Sequence, residues 1–93
     1  SPRKARPMTH EEVEVLQIFN EMLRAATSDG AKKRALGQKP SWKVDEHKAA
    51  MLRHIKRWQR GDKIDKDSGA HTLIHAAWRA LAIAWQETYL APK

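Results

Sequence analysis

Residues 62–75 read DKIDKDSGAHTLIH, from Asp62 to His75. The stretch holds three aspartates, a Ser-Gly pair and two histidines four apart. It lies between two segments with helical periodicity, so its reading decides how they meet. Upstream, Val44, His47, Met51, His54, Ile55 and Trp58 recur at helical spacing. That stripe predicts an amphipathic helix over 44–60, stopped by Gly61. Downstream, Leu73, Ile74, Ala77, Leu81 and Ala84 mark one side of a helix over 69–89. His71, His75, Trp78, Ala82, Trp85 and Tyr89 mark another side, and Asp67 or Ser68 would be the N-cap. Helices joined by so short a loop pack antiparallel. A helix that is apolar around most of its circumference is either central or covered by a partner chain.

Working outward, Thr9 to Glu12 (THEE) has the form of a capping box. Val13, Leu16, Phe19, Leu23 and Ala26 follow as an apolar stripe, which predicts a first helix over 10–27. Ser28-Asp29-Gly30 would end it, with Gly30 as a left-handed cap. Residues 31–42, AKKRALGQKPSW, then form a basic connection with room for a helical turn over 31–36. Residues 1–8 read as a flexible basic arm, and 9–93 as a single helical domain. The expected fold is all-α: a small bundle of three main helices containing an antiparallel helical hairpin, completed by oligomerisation. A chain of 93 residues buries only about two-thirds of its surface alone, and its four tryptophans offer apolar area to a second copy.

The chain has no cysteine, which excludes disulfides and thiolate metal sites. No apolar run reaches the roughly 18 residues of a membrane span. The segment SPRKARPM lacks the apolar region of a secretory signal, so the expected location is cytoplasmic. Eighteen basic residues against eleven acidic ones give a net charge of +7, which favours anionic partners: nucleotides, nucleic acid or acidic surfaces.

The hairpin concentrates chemistry at one end. His54 lies about two turns before Gly61 and His75 about two turns after Ser68, so at about 1.5 Å per residue they come level. His71 and His75, four apart, would share a face, with Asp62, Asp65 and Asp67 at the mouth. Imidazoles and carboxylates together could bind a divalent metal. A carboxylate could instead orient a histidine as general base. In the plainer reading, His54 and His75 are interior groups hydrogen-bonded to each other or to a carboxylate, with Asp67 and Ser68 merely capping a helix. Asp65-x-Asp67-x-Gly69 opens like a calcium loop but lacks its later glycine and terminal glutamate.

The basic residues Lys32, Lys33, Arg34 and Lys39 form either a triphosphate site or a solvated loop. Lys48, Arg53, Lys56, Arg57 and Arg60 form either a nucleic-acid track or a solvated face. Trp42 is the tryptophan best placed for stacking on a base, whereas Trp58, Trp78 and Trp85 suit core or oligomer packing. Glu11-x-x-Glu14 complements the positive end of the first helix.

Taken together, GAKKRALGQKPSW, AAMLRHIKRWQRGDKID and DSGAHTLIHAAWRALA resemble the dATP/dGTP diphosphohydrolase N-terminal domain family of phage and bacterial proteins. The resemblance covers roughly 30–90 and rests on Gly30, Ala31, Lys33, Trp42, Arg53, His54, Gly61, Asp62, Asp65, Ser68, Gly69, His71, His75 and Ala76. It implies an all-α fold akin to the MazG-type pyrophosphohydrolases, which split nucleoside triphosphates into monophosphate and pyrophosphate with a divalent metal, here Mg²⁺ or Mn²⁺. On that basis His54, His75 and Asp65 are the expected catalytic residues. Lys32, Lys33, Trp42 and Arg53 are the expected substrate contacts, and His54, Asp62, Asp65, His71 and His75 the expected metal ligands. The expected substrate is a purine deoxynucleoside triphosphate, and the expected assembly a homodimer or larger. The alternative is a non-catalytic, basic helical phage module that binds nucleic acid, a nucleotide or a host protein.

Overall fold

The computed structural model describes residues 6–37 and 43–90. Among them are three α-helices, α1 (His10–Ala35), α2 (Val44–Gln59) and α3 (Thr72–Trp85), followed by a π-helical turn at Gln86–Leu90. No strand is present among the described residues, and the fold is the all-α bundle expected.

α1 starts where the capping box places it. The Glu12 amide donates to Thr9 Oγ1 at 3.1 Å, and the Thr9 amide donates to Glu12 Oε1 at 2.9 Å. The helix does not stop at Ser28-Asp29-Gly30, however. It runs on to Ala35, and Gly30 is an ordinary helical residue rather than a left-handed cap. Two interactions carry it through. Asp29 pairs with Lys33 one turn later at 3.2 Å, and Lys32, Lys33 and Arg34 fall on the negative end of the helix dipole. Lys32 and Lys33 therefore belong to a helix, not to a loop.

α2 ends as its sequence indicates. Gly61 adopts φ +92°, the Asp62 amide donates to the Arg57 carbonyl at 3.0 Å, and the Gly61 amide donates to the Trp58 carbonyl at 3.0 Å. This is a Schellman closure, and it requires a left-handed residue at 61. The chain then folds back on itself. Ile64 and His71 form an antiparallel bridge, the Asp65 amide donates to the Ala70 carbonyl at 2.8 Å, and the Thr72 amide donates to the Lys63 carbonyl at 2.8 Å. That bridge holds residues 65–70 out of helical conformation, so α3 begins at Thr72 rather than at 69. Its N-cap is His71, whose Nδ1 accepts from the Leu73 amide at 3.1 Å, and not Asp67 or Ser68.

α2 and α3 pack closely side by side, and α1 lies against α3. The buried apolar residues among those described are small: Ala26, Ala50, Ala70, Ala76 and Ala82. Small side chains let the helix backbones approach, and the fully buried Thr72 anchors the hairpin by donating its hydroxyl to the Asp62 carbonyl at 2.7 Å. The Trp78 indole N–H donates to Thr27 Oγ1 at 2.9 Å and ties α1 to α3. Larger apolar residues stay exposed, including Leu16, Ile18, Phe19, Leu81, Trp58 and Trp85.

Candidate functional site

A polar cleft of about 230 Å³ opens where the three helices and the junction meet. α1 contributes Ala26, Asp29, Gly30 and Lys33 to it, and α2 contributes Arg53, His54 and Arg57. Asp65 and Asp67 come from the junction, and His75, Trp78 and Arg79 from α3. The hairpin brings His54 and His75 level, with ring centroids 5.2 Å apart and planes 25° apart.

The junction fold makes Asp65 the hub of this end. Its Oδ2 accepts from the Ser68 amide at 2.9 Å and from the Ser68 hydroxyl at 2.9 Å, and its Oδ1 accepts from Arg57 Nη1 at 3.3 Å. Burial alone would raise the Asp65 pKa. The Ser68 amide and hydroxyl, then His75 and Arg57, outweigh burial and hold it below the usual value. Asp65 is therefore ionised and can only accept hydrogen bonds. Because the Ser68 hydroxyl donates to it, the 2.6 Å contact between Ser68 Oγ and His75 Nε2 must be a donation from the imidazole. A chain thus runs from His75 Nε2–H through Ser68 to Asp65, and His75 Nε2 also lies 3.6 Å from Asp65 Oδ2.

His54 behaves differently. Burial first, then His75 and the guanidinium groups of Arg53, Arg57 and Arg79, lower its pKa to about 4. It is neutral at physiological pH, and its buried Nδ1 has no hydrogen-bond partner among the described residues.

Asp29, Asp65 and His75 each offer one ligand atom within 4.8 Å of the others. Ligands bound at about 2.1–2.2 Å lie at most about 4.4 Å apart, close to that limit. Two carboxylates and an imidazole suit a divalent ion that accepts both oxygen and nitrogen. Without a metal, Lys33 and Arg57 balance the two carboxylates.

Of the residues expected at the site, His54, Asp65, His75, Lys33 and Arg53 share this cleft. His71 does not join them. As N-cap it lies outside the helical i,i+4 register with His75, and its Nδ1 is taken by the Leu73 amide. Asp62 turns to Arg57 Nε at 3.1 Å and is not part of the cleft wall. Lys32 is exposed on α1 and also off the cleft. Trp42 lies outside the described residues.

Sequence reasoning missed Asp29, Ser68 and Arg79. Asp29 follows Ala26 by three positions and precedes Lys33 by four, so it continues the α1 stripe into the cleft. Reading Asp29-Gly30 as a helix stop concealed that register.

No helix of the described residues is long and apolar enough to cross a membrane. The family model described as "dATP/dGTP diphosphohydrolase, N-terminal" matches residues 7–90. No curated protein and no solved structure matches the chain.

Proposed function

Because the chain belongs to the dATP/dGTP diphosphohydrolase N-terminal family, we propose that its cleft hydrolyses purine deoxynucleoside triphosphates to monophosphate and pyrophosphate. The observation that carries this reading is the convergence of Asp29, Asp65 and His75 with four cations, Lys33, Arg53, Arg57 and Arg79, on one polar cleft. Carboxylates alone would repel a triphosphate, and cations alone would bind it without turnover. The combination suits a metal-dependent phosphoanhydride hydrolase.

Asp29, Asp65 and His75 would hold a divalent ion, with Mn²⁺ favoured over Mg²⁺ by the imidazole. Such an ion supplies charge neutralisation at the phosphate oxygens. The protein's own groups do the rest. Lys33 and the arginines hold the phosphate chain. Ser68 fixes the orientation of both Asp65 and His75. A water oxygen bonds to the α-phosphorus, the bond from that phosphorus to the bridging oxygen breaks, and pyrophosphate leaves with the electron pair. His54, which lines the cleft and is neutral, takes the water's proton. Its low pKa keeps it free to accept, and an incoming polyanion raises its basicity.

The test is to incubate the protein with dATP, dGTP and the other nucleotides, plus Mn²⁺ or Mg²⁺, and to separate the products by ion exchange. Monophosphate and pyrophosphate from a purine deoxynucleotide are the expected outcome, lost in Asp29→Asn and Asp65→Asn. Intact nucleotides under both ions would refute hydrolysis and favour the non-catalytic binding module.

A further inference from the structure

The four cations of the cleft are not equivalent. Arg57 is bound to Asp62 at 3.1 Å and to Asp65 at 3.3 Å, and Lys33 to Asp29 at 3.2 Å. Arg53 and Arg79 have no carboxylate within ion-pair distance among the described residues. They come from different helices, yet they line the same cleft. Two like charges brought to one cleft oppose folding. Burial first, then Arg53, already disfavour the charge on Arg79, with Glu46 opposing.

Arg79 is also held in place. Its Nη1 lies 2.9 Å from His47 Nδ1, and its guanidinium carbon is 5.6 Å from the centroid of the Trp78 ring. A guanidinium only donates, so Nδ1 of His47 accepts and the ring carries its proton on Nε2. His47 is 1% exposed, a fixed support rather than a surface group. With Nη1 and one ring face engaged, the remaining N–H groups of Arg79 are available to a ligand.

From this arrangement we infer that Arg53 and Arg79 form a guanidinium clamp for the terminal pyrophosphate end of the substrate, with His47 as the positioning residue for Arg79. The inference rests on the polyphosphate reading given above and assigns that site its anion-binding end. Planar guanidinium forks match phosphate oxygens two at a time, which a lysine ammonium does not. The size fits as well. A cleft of about 230 Å³ is smaller than the roughly 300–1,000 Å³ of pockets that enclose a whole small molecule. It takes the charged end of a nucleotide and leaves the nucleoside outside. Pyrophosphate by itself is therefore a ligand, and it needs no metal to bind, because neither arginine belongs to the Asp29–Asp65–His75 group.

Isothermal titration with inorganic pyrophosphate in EDTA, at fixed low salt, tests the clamp. The wild-type protein should bind. Arg53→Gln and Arg79→Gln should each weaken binding about 10- to 100-fold, the range for losing a charge-assisted hydrogen bond. Arg79→Lys should recover only part of the loss. Arg53 is exposed, so Arg53→Gln reads the clamp even if Arg79→Gln fails to fold by circular dichroism. For His47, His47→Leu should weaken binding and His47→Asn, which keeps an acceptor, should restore it. Equal affinities for those two variants would remove the positioning role. No pyrophosphate binding by the wild type, or superimposable Arg53→Gln and wild-type titrations, would overturn the clamp. Turnover of dGTP is scored separately. Hydrolysis without arginine-dependent pyrophosphate binding rejects the clamp alone, and arginine-dependent binding without hydrolysis rejects the enzyme reading alone.

Discussion

Ser68 has a small polar side chain behind the cleft wall and joins two larger ones that line it. Its hydroxyl donates to Asp65 and accepts from His75. Ser68→Ala leaves both partners short of one hydrogen bond in a half-buried place. The expected loss is about 1–3 kcal/mol, read as a lower midpoint in urea denaturation at pH 7. His54 predicts a pH effect of definite sign. Its pKa is about 4 in the folded protein against 6.5 in the unfolded chain. Between those values the unfolded chain binds more protons, so stability present above pH 6.5 is lost as pH falls toward 4. His54→Gln should flatten that part of the stability curve in thermal melts run in EDTA at a series of pH values. Much of this residue-level arrangement was legible in the sequence. Counting turns from Gly61 and from Ser68 places His54 and His75 level, and their rings stack. What could not be read was side-chain choice inside the junction. Ser68 and Asp67 have the composition of an N-cap, but the Ile64–His71 bridge transfers capping to His71 and leaves Ser68 to bond Asp65 and His75. That bridge depends on backbone pairing, which no local motif announces.

Each helix end shows how far local signals reach. Gly61 closes α2 because three features agree there: the end of the apolar stripe, a left-handed φ and two returning hydrogen bonds. Gly61→Ala would force a side chain into φ +92°, and with no neighbouring atom within 4 Å the cost is conformational rather than steric. A destabilisation of about 1 kcal/mol is expected in denaturant unfolding. At the start of α1 the reciprocal Thr9–Glu12 bonds predict a similar loss, about 1 kcal/mol, for Thr9→Ala. The end of α1 was misread for an instructive reason. Ser-Asp-Gly is turn-forming in isolation, yet here Asp29 faces into the cleft and is paired with Lys33, so tertiary and i,i+4 contacts override the local preference. A glycine carries a stop signal only when a left-handed conformation is in fact adopted. Gly37, at φ +92°, is the residue that follows α1 in that way.

At the scale of the whole molecule, the apolar surface exceeds what one copy buries. On α1, Val15, Ile18 and Met22 lie on one side and Leu16 and Phe19 on the next, all exposed. Together they cover roughly half or more of the helix circumference, wider than a surface helix needs. Phe19, Met22 and Leu23 continue into an apolar groove with Leu73, Ile74, Ala77 and Leu81 of α3. We expect a second copy to cover this surface. Light scattering behind size exclusion should then give twice 10.7 kDa, and Leu16→Glu with Phe19→Glu should return it to a monomer. A monomer at all concentrations would count against self-association. The all-α class and the hairpin followed from periodicity and Gly61. The thin alanine core did not, because Val13, Leu16 and Phe19 of the α1 stripe stay exposed, Leu23 is half-buried and only Ala26 is buried. Helix α1 therefore has a looser hold on the body than α2 and α3 have on each other, with Ala26 and the Trp78–Thr27 bond as its link. Yet it carries Asp29 and Lys33, one of the three candidate ion ligands and one of the four cations of the cleft. The amide protons of α1 should accordingly exchange with deuterium well before those of the hairpin. Mn²⁺ should slow them along the whole helix, including turns far from the ion, because occupancy of the cleft is linked to docking of the helix.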